Sequence, residues 1–253
     1  MARQRSHRSR RRRRGRFGGV YRFFAVLAVI AAVAAACVVF FRINEVFVEG
    51  NVRYTADEVI QVSGIKSGDN LITIPKAHIT GVIRTELPYV ESVSIRRKLP
   101  DGVIIEVQER VAVASVESTR GRWLISSQGK MLEEAGNASV MEIVGVVAQS
   151  PRAGDSIRVT DENNATLNHV LALLMALEEE NMIAACGTMD CTAAASILLT
   201  WDIYTIKLPR GGDYSYMLGL IKGALSNERM PQGVPGIFDL AVEDGAVHFV
   251  RGE

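Results

Sequence analysis

Ser63-Gly64-Ile65-Lys66 is the tempting string in this 253-residue sequence, with the spacing of a catalytic pair. In an S-x-x-K motif the serine opens a helix, and the lysine one turn below it assists acylation of the hydroxyl. Lys66-Ser67-Gly68 imitates the companion K-T-G, but it overlaps the first motif and cannot lie opposite it, and S-D-N is absent. Ser63 also closes a helix pattern instead of opening one, and Gly64 breaks that helix. There is no Walker loop and no nucleophile elbow. The four histidines, His7, His78, His169 and His248, are scattered without neighbours at metal-ligand spacing. Cys186 and Cys191 point to opposite faces if the segment is extended, so a bridge between them requires a turn at Gly187–Asp190. A metal site there is disfavoured, since no histidine is near the pair in sequence. The acidic runs Glu178-Glu179-Glu180 and Asp161-Glu162 read as solvated helix ends or loops. The sequence therefore predicts no catalytic, cofactor-binding or metal-ligating residues, and a protein that is not an enzyme.

What the chain must position is set by its N-terminal region. Residues 1–41 hold ten of the 29 basic residues and no acid, leaving 19 basic against 28 acidic residues, a net of −9, in the remainder. The arm 1–22 is low in complexity and Arg-rich, and it cannot bury a core. It is suited to hold anionic lipid headgroups. Without aromatic interleaving or a folded reader, nucleic-acid binding is not expected. Phe23 to Phe41 is an uncharged apolar run between Arg22 and Arg42, close to the ~20 residues that cross a bilayer as a helix. Cys37 reads as an apolar filler within it. A cleaved signal peptide is the competing reading, but Val38–Phe41 carry the run past the small residues Ala34–Ala36. The positive-inside rule puts the N-terminus in the cytoplasm and residues 42–253 outside.

The elements beyond the anchor divide at about residue 113. Val46 and Val48 alternate with Phe47 and Glu49 as in a strand. Thr55 and Glu58 form a capping box, and Gly64 suits a left-handed C-cap. Pro75 opens a second helix with Ile79, Val82, Ile83 and Leu87 at helical spacing. The run 92–109 reads as a hairpin. A three-residue loop, Pro100-Asp101-Gly102, pairs Ile95 with Val107 and Arg96 with Glu106, with Gly102 left-handed. Short strands around two helices follow. Leu167, Val170, Leu171, Leu174 and Leu177 mark the first helix. Tyr214, Met217, Leu218, Ile221 and Leu225 mark the second, capped by Asp213. Residues 236–250 close the chain with a hairpin turning at Asp244-Gly245, which pairs Leu240 with Phe249 and Ala241 with His248. The fold class is α+β: one transmembrane helix, a strand-helix-helix-strand-strand unit, then a β-rich unit with two helices.

Residues 44–113 resemble a POTRA domain of the kind found in the FtsQ/DivIB family of bacterial division proteins. Glu49-Gly50-Asn51, Ser63-Gly64-Ile65, Gly68, Asn70-Leu71, Pro88-Tyr89-Val90, Val93, Ile95, Arg97, Pro100 and Glu109-Arg110 carry the likeness. Residues 114–253 are more loosely similar to the family's β-rich domain, through "RWLISSQGKML" and "IFDLAVEDGAVHFV". There Ser126 stands in place of a usual Asp, and Ala241 in place of a frequent Arg.

The resemblance implies an assembly hub without catalysis. It would sit in the plasma membrane at the division septum, bind small bitopic division proteins of the FtsB/DivIC and FtsL types, and link them to septal wall synthesis. The physical route is addition of a partner strand to an exposed sheet edge. Edges are usually blunted by charge, and "GAVHFV" carries none before Arg251. The closing hairpin is thus the candidate docking edge: Asp239, Ala241, Gly245, Ala246, Val247, His248, Phe249 and Val250. Leu240, Val247 and Phe249 would hold it to the core, leaving Asp239, His248 and Val250 on the reverse face. Two other readings remain: a POTRA-type assembly or chaperone module for other extracytoplasmic proteins, and a membrane-tethered wall enzyme using Ser63 and Lys66.

Overall fold

The computed structural model describes residues 17–226, 233–241 and 247–252. The Arg-rich arm before residue 17, the side chain of Cys37, and the expected turn at Asp244-Gly245 lie outside the described residues. Helix α1, Phe17–Phe40, has 24 residues, about 36 Å at 1.5 Å per residue. That suffices for a hydrocarbon core of about 30 Å, and no part of its apolar window is buried by the rest of the chain. Phe41 lies just past it and packs partly on the core of the next unit.

That unit runs β1 (Glu45–Glu49), α2 (Ala56–Ser63), α3 (Lys76–Glu86), β2 (Val90–Lys98) and β3 (Gly102–Glu109). The sheet order is β1-β3-β2, with β1 parallel to β3 and β2 antiparallel to it. Helix α2 begins where expected: the Thr55 hydroxyl accepts from Glu58 N, and the Glu58 carboxylate accepts from Thr55 N. It ends at Gly64, with φ 68°. Both helices lay Val59, Ile79 and Ile83 against Ile95, Val103, Ile105 and Val107 of the sheet.

The β2–β3 register differs from the expected one by two residues. Ile95 faces Ile105 and Lys98 faces Gly102, so the loop is Leu99–Asp101. Gly102 is the first residue of β3 and is not left-handed. The shift preserves parity, so the buried face is unchanged. The Arg96–Glu106 ion pair survives as a diagonal contact.

A nine-stranded sheet follows, in the order β12-β11-β10-β9-β8-β7-β4-β5-β6. Its strands are β4 (Ala114–Ser118), β5 (Gly121–Ile125), β6 (Met131–Glu134), β7 (Met141–Ala148), β8 (Cys186–Asp190), β9 (Ser196–Trp201), β10 (Tyr204–Pro209), β11 (Gly236–Asp239) and β12 (His248–Arg251). Helices α4 (Asn164–Glu179) and α5 (Tyr214–Leu225) bury Leu167, Val170, Leu174, Leu177, Tyr214, Leu218 and Ile221 in its core. The Asp213 carboxylate accepts from Tyr216 N and caps α5. β7 joins the two halves of the sheet through parallel pairing with β4 and β8.

The two units are clasped together. The Arg53 guanidinium donates to both Glu133 oxygens at 2.8 and 2.9 Å and lies 4.0 Å from the Tyr89 ring centre. The Tyr89 hydroxyl donates to Glu133 at 2.7 Å. Tyr89, Leu124, Leu132 and Ala135 form a small apolar cluster beneath. Burial, then the bond to Glu133, raises the Tyr89 phenol above its ordinary pKa.

Two stability predictions follow from these contacts. Gly50 has φ +80°, and a Cβ there would strike the Val107 carbonyl oxygen. Gly50→Ala should therefore cost about 2 kcal/mol or more in denaturant titration. Glu133→Ala leaves Arg53 and Tyr89 without their acceptor. Allowing for the half-exposed ion pair, it should cost about 1 kcal/mol, and Glu133→Gln, which can still accept from Tyr89, should cost less. Stability unchanged in Glu133→Ala would contradict the clasp.

Candidate functional site

Each strand that ends a sheet offers a row of backbone groups; the two sheets end in β1, β2, β6 and β12, and the chain itself engages β6 and β2. At β6 the segment 154–156 lies alongside: Met131 N donates to Asp155 O at 2.9 Å, Gly154 N donates to Met131 O at 2.8 Å, and Lys130 bridges Ser156. On β2, side chains take two carbonyls: Lys76 Nζ donates to Ile95 O and Arg110 donates to Val90 O. β12 ends the large sheet on the other side, bonded to β11, and no further strand lies beside it among the described residues.

The outward groups of β12 can be identified. Gly252 N donates to Pro235 O at 2.9 Å. In an antiparallel pair the bonded positions alternate, so Val250 and His248 bond inward to Ile237 and Asp239. The N–H and C=O of Phe249 and Arg251 point to the open side.

Aromatic packing holds this edge. The Phe249 ring centre lies 5.1 Å from Phe238 and 6.4 Å from Tyr204, and Tyr204 stacks on Trp201 at 6.1 Å. Phe238 is fully buried. Gly236 makes room: a Cβ there would enter the Phe249 ring. A bulky ring covering a strand glycine is a known way to stiffen an edge. Leu240 is in the core and Val247 packs on it. On the reverse face Val250 and Ile237 are directly paired, 57% and 41% exposed.

The closing register also differs by two from the expected one. Phe249 faces Phe238, not Leu240, and His248 faces Asp239, not Ala241. The face assignment is unaffected, because a shift of two keeps each side chain on its side. Asp239 is not a free anion: its carboxylate accepts from Lys207 Nζ at 2.8 Å and from Ala241 N at 2.9 Å. The Lys207 bond holds its pKa below the usual carboxylate range. Gly245 and Ala246 lie outside the described residues. Lys207, Gly236 and Ile237 belong to the site without having been anticipated. The alternation in "GIFDL" marks Ile237. Lys207 joins only because β10 runs parallel to β11, a pairing no local pattern reveals.

The other candidates take structural roles. Ser63 ends α2, and its hydroxyl donates to Ile60 O at 2.6 Å and accepts from Ile65 N at 3.2 Å. The hydroxyl proton therefore goes to a carbonyl, not to a base. Lys66 sits in an exposed turn, where its backbone N donates to Asp69. Cys186 and Cys191 are buried free thiols, the first opening β8 and the second directly following its last residue. Burial pushes them up to about 12 and about 11, which keeps them protonated and inert. Among the described residues no group of His, Cys, Asp and Glu is placed to hold a metal ion.

Comparison with known proteins agrees with this architecture. The family model described as "POTRA domain, FtsQ-type" matches residues 41–110. The cell division protein DivIB of Clostridium acetobutylicum is 29% identical over 60% of this chain and 69% of its own length. DivIB of Clostridium botulinum strain Hall is 22% identical over 85% and 84%. The cell division protein FtsQ of Corynebacterium glutamicum is 28% identical over 57% and 59%. The matched domain begins where the apolar helix α1 ends, and the relatives of both names extend the likeness into the large sheet. The FtsQ-type POTRA match and the relatives named DivIB and FtsQ support membership of the FtsQ/DivIB family and a role in cell division.

Proposed function

We propose that this chain is a membrane-anchored scaffold of the division machinery that captures small bitopic partners by strand addition to β12. The partners are of the FtsB/DivIC and FtsL types, and through them the chain is linked to septal wall synthesis. In this reading α1 crosses the plasma membrane at the septum. The Arg-rich arm lies in the cytoplasm against anionic headgroups. Residues 44–113 and 114–253 form two extracytoplasmic units, and the chain performs no catalysis of its own.

The asymmetry of the large sheet carries the reading. The β6 edge is covered by the chain itself, whereas among the described residues nothing pairs with the outer side of β12, which lies beside an exposed Ile237–Val250 pair. Main-chain bonds to Phe249 and Arg251 would give affinity, and a partner side chain laid over Ile237 and Val250 would give specificity.

Arg251→Pro tests this in the full chain. It removes one outward N–H and leaves the inward ladder to β11 intact, as proline permits on an edge. Binding to the ectodomains of the host's two small bitopic division proteins should weaken about tenfold or more, with an unchanged circular dichroism spectrum. Equal binding by Arg251→Pro would remove β12 as the site. Failure of the parent chain to bind either partner would favour a general POTRA assembly role.

A further inference from the structure

The passage from α1 into the POTRA domain contains no free linker. Phe41 O accepts from Leu71 N at 2.9 Å, and Arg42 bridges Asn70. Ile43 N donates to Asp69 O at 2.8 Å, and Ile43 O accepts from Gly68 N at 2.8 Å. The Ile43 side chain is buried. Asn44 N donates to Asp101 O at 2.9 Å, and Asn44 Nδ2 donates to Asp101 Oδ2 at 3.0 Å. Every residue from 41 to 44 is thus bonded to one of two loops, 68–74 or 99–101.

Topology places both loops at the membrane end of the domain. β1 leaves α1, β3 runs parallel to it, and Glu45 faces Gly102. The β2–β3 loop therefore sits where β1 begins. Asp101 binds Asn44, at most about 11 Å of chain beyond Phe41, and Leu71 binds Phe41 itself. A headgroup layer is roughly 5–8 Å thick on each side of the hydrocarbon core, so both loops lie within or beside it.

These loops carry apolar side chains that the core does not use. Ile72 is 46% exposed and Leu99 is 68% exposed. The Arg97 guanidinium ties the loops together by donating to Leu71 O at 2.8 Å and Ile72 O at 2.7 Å. Arg42, Lys66, Arg96 and Lys98 are exposed around them. The acids among them are partly engaged: Asp69 accepts from Lys66 N, Asp101 accepts from Asn44, and Glu106 pairs with Arg96.

From this we infer that the membrane-proximal end of the POTRA domain docks on the bilayer. Ile72 and Leu99 enter the boundary between headgroups and acyl chains, and Arg42 and Lys66 meet the lipid phosphates, while the Lys98 ammonium lies 3.8 Å from the Phe47 ring centre. Apolar tips flanked by cations are the pattern of interfacial binding. The two loops and α1 then make three points of attachment, which fix the tilt of the domain. The Arg53–Glu133 clasp passes that orientation to the large sheet, so β12 is held at a set height above the membrane. The inference rests on α1 spanning the bilayer and is independent of which partner binds β12.

The test uses the full chain in nanodiscs of phosphatidylcholine and phosphatidylglycerol, with single tryptophans introduced as Val29→Trp, Ile72→Trp, Leu99→Trp and Val144→Trp. The parent chain supplies the background of Trp123 and Trp201. The Val29 probe, inside α1, reports the anchor and should be quenched by lipids brominated in mid-chain. The probes at 72 and 99 should be blue-shifted and lose most of their added emission to lipids brominated near the carbonyl end. The probe at 144, on the large sheet, should be unaffected. Water-like, unquenched emission at 72 and 99 with Val29 quenched overturns the docking alone. An unquenched Val29 probe overturns the anchor and the docking together. Quenching at 144 as strong as at 72 and 99 would show a domain lying loosely on the membrane and also overturns the fixed orientation.

Discussion

A backbone N–H or C=O at the end of a sheet must find a partner, and among the described residues this chain supplies its own at one end of its nine-stranded sheet and not at the other. The segment 154–156 covers β6. At β12 the groups of Phe249 and Arg251 point away from β11 and no further strand pairs with them among the described residues, while the ring of Phe249 pins the strand to Phe238 and Tyr204. Rigidity and openness are both needed for strand addition. A loose edge would lose conformational entropy on binding, and a covered one would have no bonds to offer.

The rest of the structure keeps that edge in a defined place. Bonds from residues 41–44 fasten the POTRA domain to the end of α1, and Arg53, Tyr89 and Glu133 fasten the large sheet to the POTRA domain. Neither junction is a flexible tether. Inter-domain motion is the usual expectation where interfaces are small and polar. Here a bidentate ion pair, a buried phenol and an apolar cluster oppose it.

Much of this was legible in the residues. Thr55, Glu58 and Gly64 fixed α2 at both ends, because capping chemistry is local. The helical stripes of α4 and α5 were visible because burial repeats every turn. The hairpins were visible too, and parity gave their faces, but both registers were misplaced by two residues. Parity cannot distinguish shifts of two, and the packing that goes with the observed registers, Lys98 against Gly102 and Phe249 over Gly236, is not recorded in apolar alternation. The sheet order, the parallel entry of β7, and the capture of Asp239 by Lys207 depend on which strands meet. No local pattern encodes that. The Ser63–Lys66 spacing illustrates the converse: a motif readable in one dimension, which the fold assigns to ending a helix.

The central claim is that partners add a strand to β12. Residue-resolved amide hydrogen exchange on the full chain, with and without the ectodomains of the host's small bitopic division proteins, tests it most directly. The account predicts new protection at the outward amides of Phe249 and Arg251, and little change at His248 and Val250, which already donate to β11. Protection that appears elsewhere on the chain while Phe249 and Arg251 continue to exchange freely would contradict it.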